Sequence, residues 1–329
     1  MAEDGPLLIV GAGAVGGYIA AHLARLGERV AVLEPWAENR QAIRARGLTV
    51  EEPAGRFRID LPMLDSAAQV APRLVILCTK MADFPEAVAA IEPHYAGPYL
   101  VTLNALADLD LARQIGPARV MGCIVTGLFA NLVEPALLKR FRQRFDGGAA
   151  SFRLGEVDGP ATPRIQALAT LLGGIDGTEA VDDLPAARWT KLVFNAMTSP
   201  LCAVRRTTLR TLFLDDAARA EMMALALEVV AVADAGGIAL DAICGIPGAV
   251  WTQAARGDAA ARAAVDTGLR AYGAKVDPAA TSGMAQDLSR GRRTEVSLIN
   301  GTVVTQAARH GRDAPANAAI VTRLEAMSG

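Results

Sequence analysis

Positive charge in this 329-residue chain is carried almost entirely by arginine, so its four lysines are the first candidates for proton-transfer chemistry. An arginine does not release a proton near neutral pH, whereas the pKa of a lysine amine can be tuned so that it does. Lys139 and Lys275 have polar neighbours and are interpreted as incidental. Lys80 follows an apolar run and Lys191 lies in an apolar helical pattern, so these two are the functional candidates.

Lys191 stands in line with two further polar residues. Asn195 and Ser199 follow it at intervals of four, which on a helix places all three on one face among bulky apolar neighbours. Such a stripe could bind a substrate and donate a proton to it, because a positioned lysine can act as a general acid. The alternative interpretation is a lysine whose charged end reaches solvent from a buried helix. The residues alone leave both open.

Histidine is the more usual proton donor, and the chain has three, His22, His94 and His310. None has an obvious orienting partner in the sequence. We therefore predict surface positions for all three.

A glycine-rich turn near the start of the chain indicates which cofactor would accompany the proton donor. The apolar run Leu7–Val10 leads into the turn, and a helix-like stretch over 18–27 follows it. The residues of the turn are Gly11, Ala12, Gly13, Ala14, Val15 and Gly16. This order predicts a dinucleotide whose pyrophosphate lies on backbone N–H groups at a helix N-terminus. Gly11 would permit the tight turn, Gly13 the approach of the phosphates and Gly16 the packing of helix on strand. The alternative is a plain tight turn in a buried βα unit.

Glu34 ends the second apolar run, 18 residues after Gly16. An acidic side chain at about this spacing accepts hydrogen bonds from the adenosine ribose hydroxyls and repels a 2′-phosphate. The sequence therefore predicts a preference for NAD(H) over NADP(H). Two alternatives are an ordinary exposed glutamate before Pro35 and a phosphate contact from Arg40.

Elements that could position these residues follow from the hydrophobic pattern. Short apolar runs at 29–33, 74–78, 99–103 and 120–125 alternate with helical patterns, which predicts a Rossmann-type doubly wound parallel sheet. Shorter alternating pieces at 141–145, before Gly147-Gly148, and at 151–155 predict an antiparallel extension. Within them, the arginines at 140, 142 and 144 are interpreted as a solvated strand face rather than a nucleic-acid surface.

From about residue 183 the sequence pattern changes to that of long, alanine-rich amphipathic helices. These are predicted at 184–204, 215–235, 279–290, 293–310 and 315–327. We therefore predict a dinucleotide-binding domain over 1–182 and an all-α domain for substrate binding and dimerisation over 183–329. A ligand would occupy the cleft between them. The apolar C-terminal helices favour a homodimer.

Composition excludes several other classes of function. A net charge of −2 provides no long-range attraction to nucleic acid or acidic membranes. Glu3 and Asp4 oppose a signal peptide, and no apolar stretch is long enough to span a bilayer. The cysteines form no CxxC pair, which predicts reduced, buried thiols in a cytoplasmic protein and no metal site. They are Cys78, Cys123, Cys202 and Cys244.

Over nearly its whole length the chain resembles the ketopantoate reductase (2-dehydropantoate 2-reductase) family. The motifs that carry the resemblance are 11–17, Cys78-Thr79-Lys80, Asn104, 191–195, Met284-Ala285-Gln286-Asp287, Arg293-Thr294-Glu295 and Ile299-Asn300-Gly301. The resemblance implies NAD(P)H-dependent reduction of a 2-oxo acid in pantothenate biosynthesis, with Lys191 as proton donor and Asn195 as substrate ligand. It also implies that Asn104 and Lys80 line the nicotinamide side of the cleft. Glu295 would contact the cofactor or position the lysine.

Four positions depart from the family pattern. Glu34 replaces the arginine that usually binds the 2′-phosphate of NADP, and Ser199 replaces a second asparagine. Gly283 replaces a serine, so the adjacent Ser282 is taken as the substrate ligand, and Ala105 replaces a glycine. Three functions stay open: a 2-dehydropantoate reductase, a dehydrogenase of the same fold for another 2-oxo acid, and a non-catalytic NAD-binding sensor.

Overall fold

The structure of the protein, a computed structural model, describes residues 4–145 and 150–327. It divides into two compact units between Leu184 and Pro185. In the described part of the chain, no helix has the length and apolar character needed to cross a membrane.

The first unit alternates strands with helices. Its strands are β1 (Leu7–Val10), β2 (Val30–Leu33), β3 (Leu48–Glu52), β4 (Gly55–Ile59), β5 (Met63–Leu64), β6 (Leu74–Leu77), β7 (Tyr99–Val101), β8 (Val120–Val125), β9 (Ala130–Glu134), β10 (Leu137–Arg140), β11 (Phe152–Glu156) and β12 (Thr178–Ala180). Its α-helices are α1 (Ala14–Arg25), α2 (Ala37–Arg46), α3 (Phe84–Ile91), α4 (Ala107–Ile115) and α5 (Pro163–Gly173).

The main sheet has the strand order β12-β11-β8-β7-β6-β1-β2-β5. All neighbouring strands are parallel except β8 and β11, which pair antiparallel. The predicted doubly wound parallel sheet with an antiparallel extension is therefore confirmed. The chain passes from β1 to β2 and later returns to the other side of β1 as β6, so the strand order reverses at β1. Ligands bind at the carboxyl edge of such a reversal.

A second, four-stranded sheet with the order β4-β3-β10-β9 was not anticipated from the sequence. Helix α1 contacts β3, β9 and β10 as well as β1 and β2, so it packs against both sheets. Tyr18 on α1, Leu48 and Val50 on β3, and Leu138 on β10 join one buried apolar cluster with β1. The helix after the glycine-rich turn is thereby held on two sides.

The alternating segment at 141–145 is not a strand, contrary to the prediction. Strand β10 ends at Arg140, which is 2% exposed and whose guanidinium pairs with Asp176 at 2.6 Å, while Phe141 and Phe145 are 57% and 56% exposed. The expected solvated arginine face is therefore wrong at residue 140, because a buried carboxylate draws that guanidinium inward. The Gly147-Gly148 pair lies outside the described residues, whereas the strand predicted at 151–155 is confirmed as β11.

His22 is buried, whereas His94 and His310 are exposed as predicted. The His22 ring lies 4.3 Å from the Tyr18 ring and 5.1 Å from the Phe57 ring, centroid to centroid. The surface prediction for His22 was wrong because this face of α1 packs on the second sheet. Burial, followed by the charge of Arg144, lowers the pKa of His22 to about 3. Its imidazole is therefore neutral near pH 7.

The described part of the second unit is helical. Its helices are α6 (Leu184–Arg205), α7 (Leu209–Leu214), α8 (Asp216–Ala235), α9 (Gly248–Ala255), α10 (Ala259–Gly273), α11 (Gly283–Ser289), α12 (Val296–Arg309) and α13 (Pro315–Glu325). Helix α11 begins four residues later than predicted, because Ser282 caps it by accepting a hydrogen bond from the Ala285 N–H at 3.1 Å.

Candidate functional site

The glycine-rich turn has the geometry that a dinucleotide requires. Gly11 has φ +90°, and a Cβ there would lie 2.9 Å from the Cys78 carbonyl oxygen. A Cβ on Gly16 would collide with the Gly11 carbonyl, so a side chain there would push α1 away from β1. A Cβ on Gly13, in contrast, would meet nothing within 4 Å, so open space faces this position. The turn is therefore closed on its protein side and open where phosphates would approach.

The backbone N–H groups of the turn divide into two sets. Gly11 donates to the Leu33 carbonyl at 2.8 Å and Ala12 donates to Glu34, so both are used within the protein. The first helical bond runs from the Gly17 N–H to the Gly13 carbonyl at 2.8 Å. The N–H groups of residues 13–16 precede it and have no acceptor in the helix. Gly13, Ala14, Val15 and Gly16 thus fit a pyrophosphate, whereas the Ala12 N–H is not available to one.

Glu34 is buried at the end of β2, with 5% of its surface exposed, so it is not the exposed glutamate of the alternative interpretation. Its Oε2 accepts from the Ala12 N–H at 2.5 Å, and its Oε1 accepts from the Trp36 N–H at 2.8 Å. A carboxylate offers about four lone-pair positions, so these bonds leave acceptor capacity for a ribose hydroxyl. The negative charge is fixed directly beside the glycine-rich turn.

Asn39, in the first turn of α2, holds this arrangement together and was missed in the sequence. It is fully buried, and its Nδ2 donates at 3.1 Å to both the Ala12 carbonyl and Oε2 of Glu34. Its Oδ1 accepts from the Ala136 N–H at 2.9 Å, in the turn before β10. Only the partners, which lie far apart in the sequence, reveal the function of this asparagine. Nearby, Arg40 donates to the Glu34 backbone carbonyl at 2.6 Å, which holds its guanidinium.

Lys80 and Asn104 follow strands that end at the same edge of the sheet as the glycine-rich turn. Val10 is in register with Leu77, and Leu77 with Val101. Lys80 lies three residues beyond the end of β6 and is exposed, and Asn104 lies three residues beyond the end of β7 and is half-buried. The structure thus brings the candidates of the first unit to one edge, at the strand-order reversal.

Ala105, directly after Asn104, adopts φ +51°. This left-handed conformation costs an L-residue roughly 1–2 kcal/mol and suits glycine. The glycine that the family pattern places here therefore has a physical reason, and this chain keeps the backbone conformation without it.

Helix α6 in the second unit presents Lys191, Asn195 and Ser199 as half-buried side chains. Leu192 and Met197 beside them are buried. A helix embedded in apolar packing therefore leaves one polar face accessible, as the four-residue spacing predicts. Reversible proton donation with hydrogen bonding from neighbouring groups is the chemistry that such a face can perform.

Ser282 is buried, and the protein already uses its hydroxyl twice. Besides capping α11, its Oγ donates to the Ser199 carbonyl at 2.9 Å. The predicted role of Ser282 as a substrate ligand would thus compete with two existing bonds. A Cβ on Gly283 would meet nothing within 4 Å, so the missing serine leaves open space. Glu295 is half-buried immediately before α12.

Comparison with known proteins extends over both units. Residues 7–156 match the family model for ketopantoate reductase PanE/ApbA, and residues 183–328 match the model for the C-terminal part of that family. A 2-dehydropantoate 2-reductase from Mesorhizobium japonicum is 25% identical, and the match covers 90% of each chain.

Solved structures show the same fold. A 2-dehydropantoate 2-reductase from Geobacter metallireducens is 27% identical with a TM-score of 0.79, over 98% of this chain and 99% of the other. A D-mandelate dehydrogenase, solved with NADH and anilino(oxo)acetate, is 20% identical with a TM-score of 0.78 over 98% of both chains. On the two family matches, the chain belongs to the ketopantoate reductase family of NAD(P)-dependent oxidoreductases.

Proposed function

We propose that this protein reduces 2-dehydropantoate, or a close 2-oxo acid analogue, to the (R)-2-hydroxy acid, with Lys191 as proton donor. The observation that carries the proposal is the accessible stripe Lys191-Asn195-Ser199 on an otherwise packed helix of a ketopantoate reductase family member. In a chain whose positive charge is almost all arginine, Lys191 is a side chain able to release a proton.

The roles of the residues follow from the chemistry of ketone reduction. When bound, the nicotinamide cofactor supplies the hydride that the carbonyl carbon accepts. Lys191 donates a proton from Nζ to the carbonyl oxygen, which becomes a hydroxyl, and the neutral amine then recovers a proton from solvent. Asn195 and Ser199 bind polar groups of the acid, and Glu295 either contacts the cofactor or favours the charged form of the lysine. Lys80 and Asn104 contact the nicotinamide side.

NADH is the proposed cofactor, and NADPH, the usual cofactor of the family, is the alternative. A 2′-phosphate near Glu34 would place like charges together beside a buried carboxylate. Oε2 of Glu34 accepts one hydrogen bond from the backbone N–H of Ala12 and one from the side chain of Asn39, so the carboxylate is not free to swing away. The preference for NADH follows from this fixed negative charge.

A second candidate is a dehydrogenase for a larger 2-oxo acid. Ser199 is shorter than asparagine and Gly283 leaves open space, so a bulkier substituent has room at these two positions. The same fold accommodates an aromatic oxo acid and NADH in the D-mandelate dehydrogenase complex. A non-catalytic NAD-binding sensor is the third candidate, which any turnover would eliminate.

The experiment that separates these candidates follows loss of reduced-nicotinamide absorbance with purified protein. NADH is supplied with 2-dehydropantoate and with a panel of branched and aromatic 2-oxo acids. The highest kcat/KM for 2-dehydropantoate supports the first function, and the highest value for a bulkier acid supports the second. Cofactor binding without turnover of any acid would support the sensor. The homodimer stays a prediction that analytical ultracentrifugation would test.

A further inference from the structure

Helix α6 contains a proline, Pro200, one residue after the polar stripe ends at Ser199. Proline has no N–H, so the carbonyl four residues earlier, that of Ala196, loses its regular helical donor. Both residues are buried, so water does not replace the missing bond. The affected turn lies between Asn195 and Ser199.

Asn300 on α12 supplies the missing donor. It is fully buried, and its Nδ2 donates to the Ala196 carbonyl at 3.0 Å and to Oδ1 of Asn317 at 2.9 Å. Two acceptors for the two N–H groups of one amide fix its orientation, because the flipped amide would turn its oxygen toward both oxygens. This accounts for an asparagine in the middle of an apolar helix face.

Asn317 on α13, also fully buried, anchors the far end of this contact. Its Nδ2 donates to Oε2 of Glu228 on α8 at 2.8 Å and to the Leu225 carbonyl at 3.2 Å. The Glu228 carboxylate also accepts from the Ala316 and Asn317 N–H groups at the start of α13, at 2.8 and 2.9 Å. A continuous polar chain thus connects the interrupted turn of α6 to three other helices.

We propose that Asn300 is a positioning residue that fixes the proline-interrupted turn of α6 and, through it, the directions of Asn195 and Ser199. Ser282 assists from the other side by donating to the Ser199 carbonyl. The proposal rests on the proposed function for the roles of Asn195 and Ser199. The other part of the proposal, that Asn300 supplies the donor that Pro200 lacks, does not depend on any substrate.

A double-mutant cycle between Asn300 and Pro200 tests the proposal. Pro200→Ala returns an N–H to the position opposite the Ala196 carbonyl, so that carbonyl no longer depends on Asn300. The variants are Asn300→Ala, Pro200→Ala and the double variant, with Thr302→Ala as matched control. Thr302 lies on the same helix, and its hydroxyl donates to the Leu298 carbonyl within α12 at 2.7 Å. Urea unfolding, the KM and kcat for the 2-oxo acid, and the NADH dissociation constant are measured for each.

Asn300→Ala should raise the KM of the 2-oxo acid about tenfold, because a misplacement of about 1 Å in a positioned group can cost up to about 10²-fold and the shift expected here is smaller. NADH binding should be unchanged. Thr302→Ala should leave KM at its wild-type value. In the Pro200→Ala background, Asn300→Ala should raise the KM less, and lower the urea midpoint less, than it does in the wild-type background. Should Asn300→Ala not fold, Glu228→Gln loosens the far end of the chain and should raise KM in the same direction, less strongly.

Two results would overturn the proposal. One is a folded Asn300→Ala variant with lowered stability and wild-type KM and kcat, which would make Asn300 purely structural. The other is an equal effect of Asn300→Ala on stability with and without Pro200. If the wild type reduces no 2-oxo acid, the proposed function fails, and this stability comparison still decides whether Asn300 compensates for the proline.

Discussion

Substitution of Glu34 probes the cofactor preference, because this buried carboxylate is fixed beside the glycine-rich turn. Glu34→Gln removes the charge at nearly constant shape, and Glu34→Arg supplies a bidentate partner for a 2′-phosphate. Both changes disturb the turn itself. In the wild type, the Ala12 and Trp36 N–H groups donate to the two oxygens of the Glu34 carboxylate. The side-chain amide of Glu34→Gln has only one oxygen to accept with, so it can replace only one of these two bonds.

The magnitude follows from the charges. Two unit charges about 4 Å apart interact by about 4 kcal/mol at an effective dielectric constant of about 20. Every 1.4 kcal/mol is tenfold, so this repulsion corresponds to a preference for NADH on the order of 10²- to 10³-fold. Loss of one buried hydrogen-bond partner costs about 1–3 kcal/mol of stability and should affect both cofactors alike. The ratio of the two kcat/KM values therefore isolates the electrostatic effect.

The assay measures kcat/KM for NADH and NADPH with one 2-oxo acid, alongside urea unfolding of each variant. Wild type should prefer NADH, Glu34→Gln should lose most of the preference, and Glu34→Arg should reverse it. Asn39→Ala serves as a control that loosens Glu34 without removing its charge, and it should give an intermediate ratio. A wild-type preference for NADPH, or a ratio that Glu34→Gln leaves unchanged, would refute the reasoning.

Three further predictions concern the substrate groups, the buried histidine and the strained turn. Ser199→Asn combined with Gly283→Ser should shift preference toward 2-dehydropantoate by about 1–3 kcal/mol, measured as a ratio of kcat/KM values, and no shift would separate both positions from specificity. His22 is neutral in the fold, with its pKa lowered to about 3. The stability that neutral His22 contributes should therefore be fully present above about pH 6.5, the ordinary pKa of a histidine in the unfolded chain. Below that pH, the free energy of unfolding should fall by up to about 1.4 kcal/mol per pH unit. His22→Phe should flatten this slope in urea titrations. Ala105→Gly should raise the free energy of unfolding by up to about 1 kcal/mol, since φ is +51° there, and a loss of stability would contradict this.

Local signals in the sequence were sufficient for the parts of the fold that local chemistry determines. The apolar run before Gly11, the glycine spacing and the four-residue repeat from Lys191 predicted a βα turn and a polar helix face, and the structure contains both. Each signal is complete within about ten residues. The strands of the parallel sheet are equally local, as short apolar runs buried on both faces.

The errors at Arg140 and His22 share one cause, a partner distant in the sequence. The Arg140 side chain turns inward because it forms an ion pair with buried Asp176. His22 is buried because its ring packs on Phe57, which belongs to a sheet that α1 covers. Asn39 stands in no motif, and the motif that contains Asn300 carried the family resemblance without indicating what its amide contacts. Each of these two amides donates to a backbone carbonyl, that of Ala12 for Asn39 and that of Ala196 for Asn300. Only the three-dimensional arrangement shows which carbonyl each amide contacts.

The most direct test of the central claim compares wild type with Lys191→Ala in the same assay. Wild type should oxidise NADH when 2-dehydropantoate or its preferred 2-oxo acid is present. Lys191→Ala should remain folded and bind NADH normally, with turnover lowered by roughly 10²- to 10⁴-fold, the usual cost of a lost general acid. Lys191→Arg should recover little, because it keeps the charge without a transferable proton. Wild-type turnover in Lys191→Ala would contradict the assignment of Lys191 as the proton donor.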